Sequence, residues 1–198
     1  MKIFGIVIAV IFVIVVFSLI GNYNSLVSKD ETVTGNWGQV ENQYQRRNDL
    51  IPNLMNTVKG YATHEKSTFV EVTDARAKVN NIQINAGQLT KDEGMMKQFI
   101  EAQDQLGGAL SRLMVVVEKY PDLKANQNFI SLQDELAGTE NRIAVSRKTY
   151  NESVVDLNKD IRVFPSNIVA SVARIEKRAY FAAEEKAKTA PVVDFSER

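Results

Sequence analysis

Residues 33–61 read VTGNWGQVENQYQRRNDLIPNLMNTVKGY. Within that stretch Val33, Trp37, Val40, Tyr44, Arg47, Ile51, Leu54, Val58 and Tyr61 step alternately by four and three, which keeps one side chain per turn on a single helical face. Only Arg47 interrupts the apolar stripe. Such a stripe is the seam of a helix packed on other helices, so the expected class is all-α. The stripe stays in phase across Pro52, which favours one kinked helix over a new helix capped by Asp49. Unbroken from Val33 to Val79, the helix would be on the order of 70 Å long.

Two more series share the spacing. One runs Met95, Phe99, Ala102, Leu106, Ala109, Leu113, Val116, Tyr120 and stops at Pro121, which lacks an amide donor and clashes with the preceding turn. The other runs Phe129, Leu132, Leu136, Thr139, Ile143, Ser146, Tyr150, Ser153, Leu157, Ile161 and ends before Pro165. A shorter fourth helix begins at Ser166, read as its N-cap, with Ile168, Val172, Ile175 and Ala179 on one face. Gly107-Gly108 reads either as close approach of a neighbouring helix or as a helix break. Asn80 to Gly94 is the only long connection; short turns elsewhere require antiparallel neighbours. The expectation is an elongated, antiparallel up-and-down helical bundle of three long helices plus one shorter.

Ahead of the bundle, every side chain from Ile3 to Ile20 is apolar or glycine except Ser18, and no charge follows until Lys29. Roughly 20 helical residues cross the hydrocarbon layer, so this run reads as a transmembrane helix. A cleavable signal would need a shorter apolar core and a better cleavage site than Leu19-Ile20-Gly21-Asn22 offers. The chain has no cysteine, so a lipoprotein signal is excluded. The expected organisation is therefore a transmembrane signal anchor over 1–21, a helical bundle over 22–188 and an extended tail over 189–198. Lys2 and the terminal amine outweigh Lys29, which orients the bundle outside the cytoplasm of a single-pass cell-membrane protein.

Composition narrows the chemistry. Basic and acidic side chains balance at 24 each without a basic block, which argues against a nucleic-acid partner. His64 is the only histidine, and Thr68 stands where a second zinc-binding imidazole would follow His64-Glu65. One histidine also cannot supply a ferritin-like di-iron centre. No phosphate-binding loop or nucleophile elbow is present, and no cofactor is expected. The polar residues singled out are Arg47, Glu140, Asn141, Arg142 and Arg147. They read as a network fixing helix register, as a recognition surface, or as guanidiniums whose stems lie over the core. Arg174, Lys177 and Arg178 share a face of the fourth helix, which fits contact with an anionic membrane surface; packing of that helix on the bundle explains its apolar face as well.

Several stretches together resemble the LemA family: Arg46-Arg47-Asn48-Asp49-Leu50-Ile51-Pro52-Asn53-Leu54, Lys59-Gly60-Tyr61-Ala62-Thr63-His64-Glu65, Tyr120-Pro121-Asp122-Leu123-Lys124-Ala125-Asn126 and Gly138-Thr139-Glu140-Asn141-Arg142-Ile143-Ala144. The resemblance extends to Tyr23-Asn24-Ser25-Leu26-Val27, Tyr150-Asn151 and Val192-Val193-Asp194-Phe195. It implies a bacterial membrane protein with one N-terminal transmembrane segment and a helical bundle. One departure is Val172-Ala173-Arg174-Ile175-Glu176-Lys177-Arg178, where the family pattern is more aromatic. The leading functional expectation is a non-catalytic scaffold of the envelope, in contact with the bilayer, with envelope proteins and with copies of itself. A lipid-surface or membrane-remodelling protein is the alternative. A third reading is an enzyme of unfamiliar type relying on Glu118, Glu140, Asn141 and Arg142.

Overall fold

The apolar run and the first heptad stripe form one helix. In the computed structural model, which describes residues 2–62, 65–82 and 86–181, α1 runs unbroken over Lys2–Lys59 for 58 residues. That is about 87 Å at the usual helical rise. No break falls at the expected boundary between residues 21 and 22. Pro52 lies inside α1, and Asp49 accepts from Gln45 Nε2 at 2.8 Å one turn back, so it does not cap a new helix. Over Ile3–Ile20 the side chains are exposed, and this is the one helix among the described residues long and apolar enough to cross a membrane.

Gly60 ends α1. The amides of Tyr61 and Ala62 both donate to the Val58 carbonyl, at 3.0 and 2.9 Å, and α2 starts at Lys66 and ends at Ile82. The stretch Val33–Val79 is thus not one unbroken helix but parts of two antiparallel ones. Folding back lets Val72, Ala75 and Val79 join the core that Leu54 and Val58 begin, whereas a straight helix would carry them past the ends of its neighbours. Asn48 Nδ2 donates to Asn80 Oδ1 and Arg76 Nε to Asn48 Oδ1, both at 3.0 Å, and fix the pair's register.

The chain continues through α3 (Ala86–Leu89), α4 (Glu93–Val117), α5 (Pro121–Lys124), α6 (Gln127–Asp160) and α7 (Ser166–Ala173). Asp92 caps α4 by accepting from Met95 N at 2.9 Å, and Asn126 caps α6 by accepting from Asn128 N and Phe129 N at 2.9 and 3.1 Å. Arg112 forks onto Glu71, setting α4 antiparallel to α2. Arg46–Glu135 at 2.6 Å and the Lys29–Asp160 pair set α6 antiparallel to α1. The result is the expected up-and-down bundle, with α1, α2, α4 and α6 as its four long members. The core positions follow the heptads, except that Ala62, Met96, Val117 and Val154 are buried where Tyr61, Met95, Val116 and Ser153 were expected. A straight helix drifts against a strict 3.5-residue repeat, so a stripe slips by one residue over several turns.

The fourth expected helix departs most from its sequence reading. Its helix, α7, stops at Ala173, where Arg174 turns left-handed at φ 56°, and residues 175–181 are non-helical. Ser166 is not a cap but the first helical residue, donating instead to Asn22 Oδ1 at 2.9 Å. Val169 and Ala170 face the core, while Ile168 and Val172 are exposed. The expected continuation to 188 and the tail over 189–198 lie outside the described residues.

At Gly107-Gly108 neither expectation holds. Helix α4 runs straight through, and a Cβ on Gly107 would meet nothing within 4 Å. Gly107→Ala should therefore stabilise the bundle by about 0.5–1 kcal/mol through lower unfolded-state entropy. Thermal unfolding in detergent, followed by circular dichroism, should show a higher Tm; a lower one would mean that the site is crowded.

Candidate functional site

Two apolar cores stack along the bundle axis. The far core holds Leu54, Val58, Val72, Leu106 and Leu113; the anchor-side core holds Val33, Trp37, Phe99, Tyr150 and Leu157. Between them lies a polar layer. Arg47, 4% exposed, donates from Nη1 to Glu140 Oε1 at 2.6 Å and from Nη2 to Gln103 Oε1. Its guanidinium also sits 5.1 Å from the Tyr44 ring centroid. Thr139 is fully buried and donates to the Glu135 carbonyl at 2.7 Å. Arg47 Nε and Gln103 Nε2 are buried without an acceptor, so the layer costs stability while demanding one alignment of α1, α4 and α6.

The five polar residues expected to act together are divided between two sides of α6. Glu140, itself exposed, meets the buried Arg47 at the bundle surface, and Arg147, seven residues on, places its guanidinium 4.8 Å from the Phe181 centroid. Asn141 and Arg142 face the other side. There they line an open groove of about 390 Å³ between α1 and α6, together with Asn36, Gln39, Gln43 and Thr149. Arg142 spans it, donating to Gln43 Oε1 at 3.3 Å and to Thr139 Oγ1 at 3.0 Å.

Arg174, Lys177 and Arg178 share no helical face, because α7 ends before them. Arg174 and Lys177 are exposed, whereas Arg178 turns inward. It donates from Nε and Nη2 to Asp30 Oδ1 at 3.0 and 2.7 Å and from Nη1 to Thr90 Oγ1 at 3.1 Å. This anchors a strap, residues 178–181, laid across α1 and α6. Asn158 pairs with both backbone groups of Arg178 at 2.9 Å, and Asn151 with those of Phe181 at 2.9 and 3.0 Å. Ala179 N donates to Thr90 O at 2.7 Å, and Tyr150 OH to Ala179 O at 2.9 Å. Phe181 then stacks on Trp37, centroids 5.8 Å apart, and meets Tyr150 edge-on at 5.5 Å. The strap was not foreseen; the available signal was the seven-residue spacing of Asn151 and Asn158 beside the α6 seam.

Glu118 and Glu140, named for an acid–base reading, are not brought together. Glu118 pairs with Lys124 at 2.5 Å near the end of α4, away from Glu140 in the polar layer. Among the described residues no group of three or more histidines or carboxylates is placed to hold a metal ion. His64 lies outside them. Burial pushes the Tyr44 phenol up against the opposing pull of Arg147 and Arg47, and pushes Tyr150 up strongly against that of Arg178.

Arg47→Ala should destabilise the bundle by about 2–3 kcal/mol, since it leaves Glu140 and the buried Gln103 carbonyl without their donor. The double variant Arg47→Met, Gln103→Leu should recover most of that loss in denaturant unfolding, because it removes the unpaired atoms as well. Tyr150→Phe should cost about 1–2 kcal/mol by orphaning the Ala179 carbonyl. The raised phenols contribute stability in full below pH ~10, the unfolded value, and lose it above, where the unfolded chain ionises first. Unfolding free energy measured between pH 8 and 12 should fall less steeply in Tyr150→Phe than in the wild type.

Residues 36–195 match the LemA family. The chain is 28% identical over 191 residues to magnetosome protein MamQ 2 of Paramagnetospirillum magneticum, covering 89% of this chain and 70% of that protein. Magnetosome protein MamQ of Magnetospirillum gryphiswaldense is 26% identical over the same shares. Protein LemA of Metamycoplasma hominis is 24% identical over 169 residues, 85% of this chain and 73% of that one. Together with the heptad helices and the motif stretches they carry, the match places this chain in the LemA family.

Proposed function

We propose that this LemA-family chain is a membrane-anchored, non-catalytic interaction protein of the bacterial envelope, which offers the α1–α6 groove to proteins outside the cytoplasm, copies of itself included. The carrying observation is α1: one helix contains both the apolar span and the bundle's central stripe, so the bundle stands at a set height and rotation above the bilayer. The groove is rimmed by Asn36, Gln39, Gln43, Asn141 and Thr149, whose amides and hydroxyl both donate and accept, which suits a polar helix or extended peptide. Lys2 on the short side of the span supports the outward orientation. The names of the relatives, magnetosome protein and Protein LemA, specify no reaction.

The absence of cysteine permits a direct test. Val145, exposed in the groove, is changed to Cys, and a membrane-impermeant maleimide carrying a photo-crosslinker is applied to intact cells, with Val115→Cys on α4 as the comparison site. Protein adducts at Val145→Cys in excess of Val115→Cys are expected. Adducts formed only after lysis would reverse the orientation, and equal adducts at the two sites would remove the groove as the interface.

A further inference from the structure

The anchor-side end of the bundle carries an apolar face that the fold leaves uncovered. Phe164, Ile168 and Val172 are 79%, 53% and 82% exposed. Ile168 and Val172 share one face of α7 by their four-residue spacing, Phe164 stands exposed in the turn just before the helix, and Val169 and Ala170 pack inward. Helix α7 itself, SNIVASVA, contains no charge. In water such a face would be a liability.

Its location decides what meets it. The Ser166–Asn22 hydrogen bond, at 2.9 Å, ties the first residue of α7 to α1 only two residues beyond Ile20, where the apolar run ends. Along the helix axis that is about 3 Å, inside the headgroup layer of roughly 5–7 Å on each side of the hydrocarbon. From there the chain climbs away from the anchor: Arg178 pairs with Asp30, and Phe181 stacks on Trp37. Phe164 and Ile168 are therefore nearest the lipid, with Val172 at the outer edge. Tyr23, half-exposed on α1 at the same level, adds the amphipathic ring typical of the interface. Exposed Arg162 and Arg174 border the patch along the chain, cations that phosphate headgroups attract.

From this continuity with the span we infer that the turn before α7 and α7 itself form an interfacial lipid contact, inserting Phe164 and Ile168 at the headgroup–acyl boundary of an anionic phospholipid bilayer. The inference rests on the anchor reading and deepens it. A helix beside the span that touches the same bilayer resists tilting and rotation of α1, because either motion would lift apolar side chains into water. Of the basic face expected from sequence, Arg178 pairs with Asp30, and it is the exposed apolar side of α7 that makes the contact.

The test uses the full chain reconstituted in nanodiscs of mixed zwitterionic and anionic phospholipid. Single spin-labelled cysteines are placed at Phe164→Cys, Ile168→Cys and Val172→Cys, with Phe12→Cys in the span and Val145→Cys in the bundle as references; all five positions are exposed. The ratio of oxygen to nickel-chelate accessibility at 164 and 168 should fall between the two references, decreasing in the order 164, 168, 172. If all three match Val145→Cys while Phe12→Cys reads as lipid, the anchor stands and the lipid contact is overturned. Shielding from both reagents would mean that protein covers the patch, which overturns it too. If Phe12→Cys itself reads as water, the anchor reading falls and the inference with it.

Discussion

One helix has to satisfy two solvents. Over its first third α1 presents apolar side chains in every direction, as a helix long and apolar enough to cross a membrane would; beyond Leu26 it narrows to a seam of Val33, Trp37, Val40, Tyr44, Ile51, Leu54 and Val58. No hinge separates the regimes, so the bundle inherits its orientation from the span. Each remaining element is placed against this seam: α6 antiparallel along it, α2 folded back at Gly60, α4 filling the fourth side, and α7 returning to the level of Asn22. Were the helix interrupted near residue 21, contacts within the bundle would survive, but their relation to the bilayer would not.

The polar layer shows a trade between stability and uniqueness. Two apolar cores alone would tolerate sliding of α4 against α1 by a turn, since heptads repeat. Arg47, wedged between Gln103 and Glu140 with its guanidinium over the Tyr44 ring, has partners in one alignment only. Two buried donors without acceptors are the thermodynamic cost of that selectivity.

The α1, α4 and α6 stripes were legible because helix packing depends on local periodicity, and most residues on them are buried as the spacing requires. Arg47 was visible as the one charge in a seam, but its partners Glu140 and Gln103, on α6 and α4, were not, since they are far away in sequence. What escaped the sequence was long-range or terminal. Nothing in the periodicity distinguishes a helix that passes Gly60 from one that reverses there, since Val72 and Val79 suit either course. In the short α7, eight residues offer too few turns to separate an inward Val169 from an outward Ile168 when both are β-branched and apolar. Arg178 looked like a surface charge because its partner, Asp30, is far away in sequence.

The strap has a consequence for how this sequence can vary. Asn151 and Asn158 grip main-chain groups of Phe181 and Arg178 much as a neighbouring strand would, and Tyr150 and Thr90 serve Ala179 in the same way. A grip on main chain is indifferent to the side chain attached. Substitutions at the exposed Tyr180 leave every one of these bonds available, whereas the information that holds the strap resides in α6, twenty or more residues upstream. Drift in the strap and constancy in the helix that reads it are therefore compatible outcomes of one geometry, and two chains differing at position 180 would close this end of the bundle in the same way.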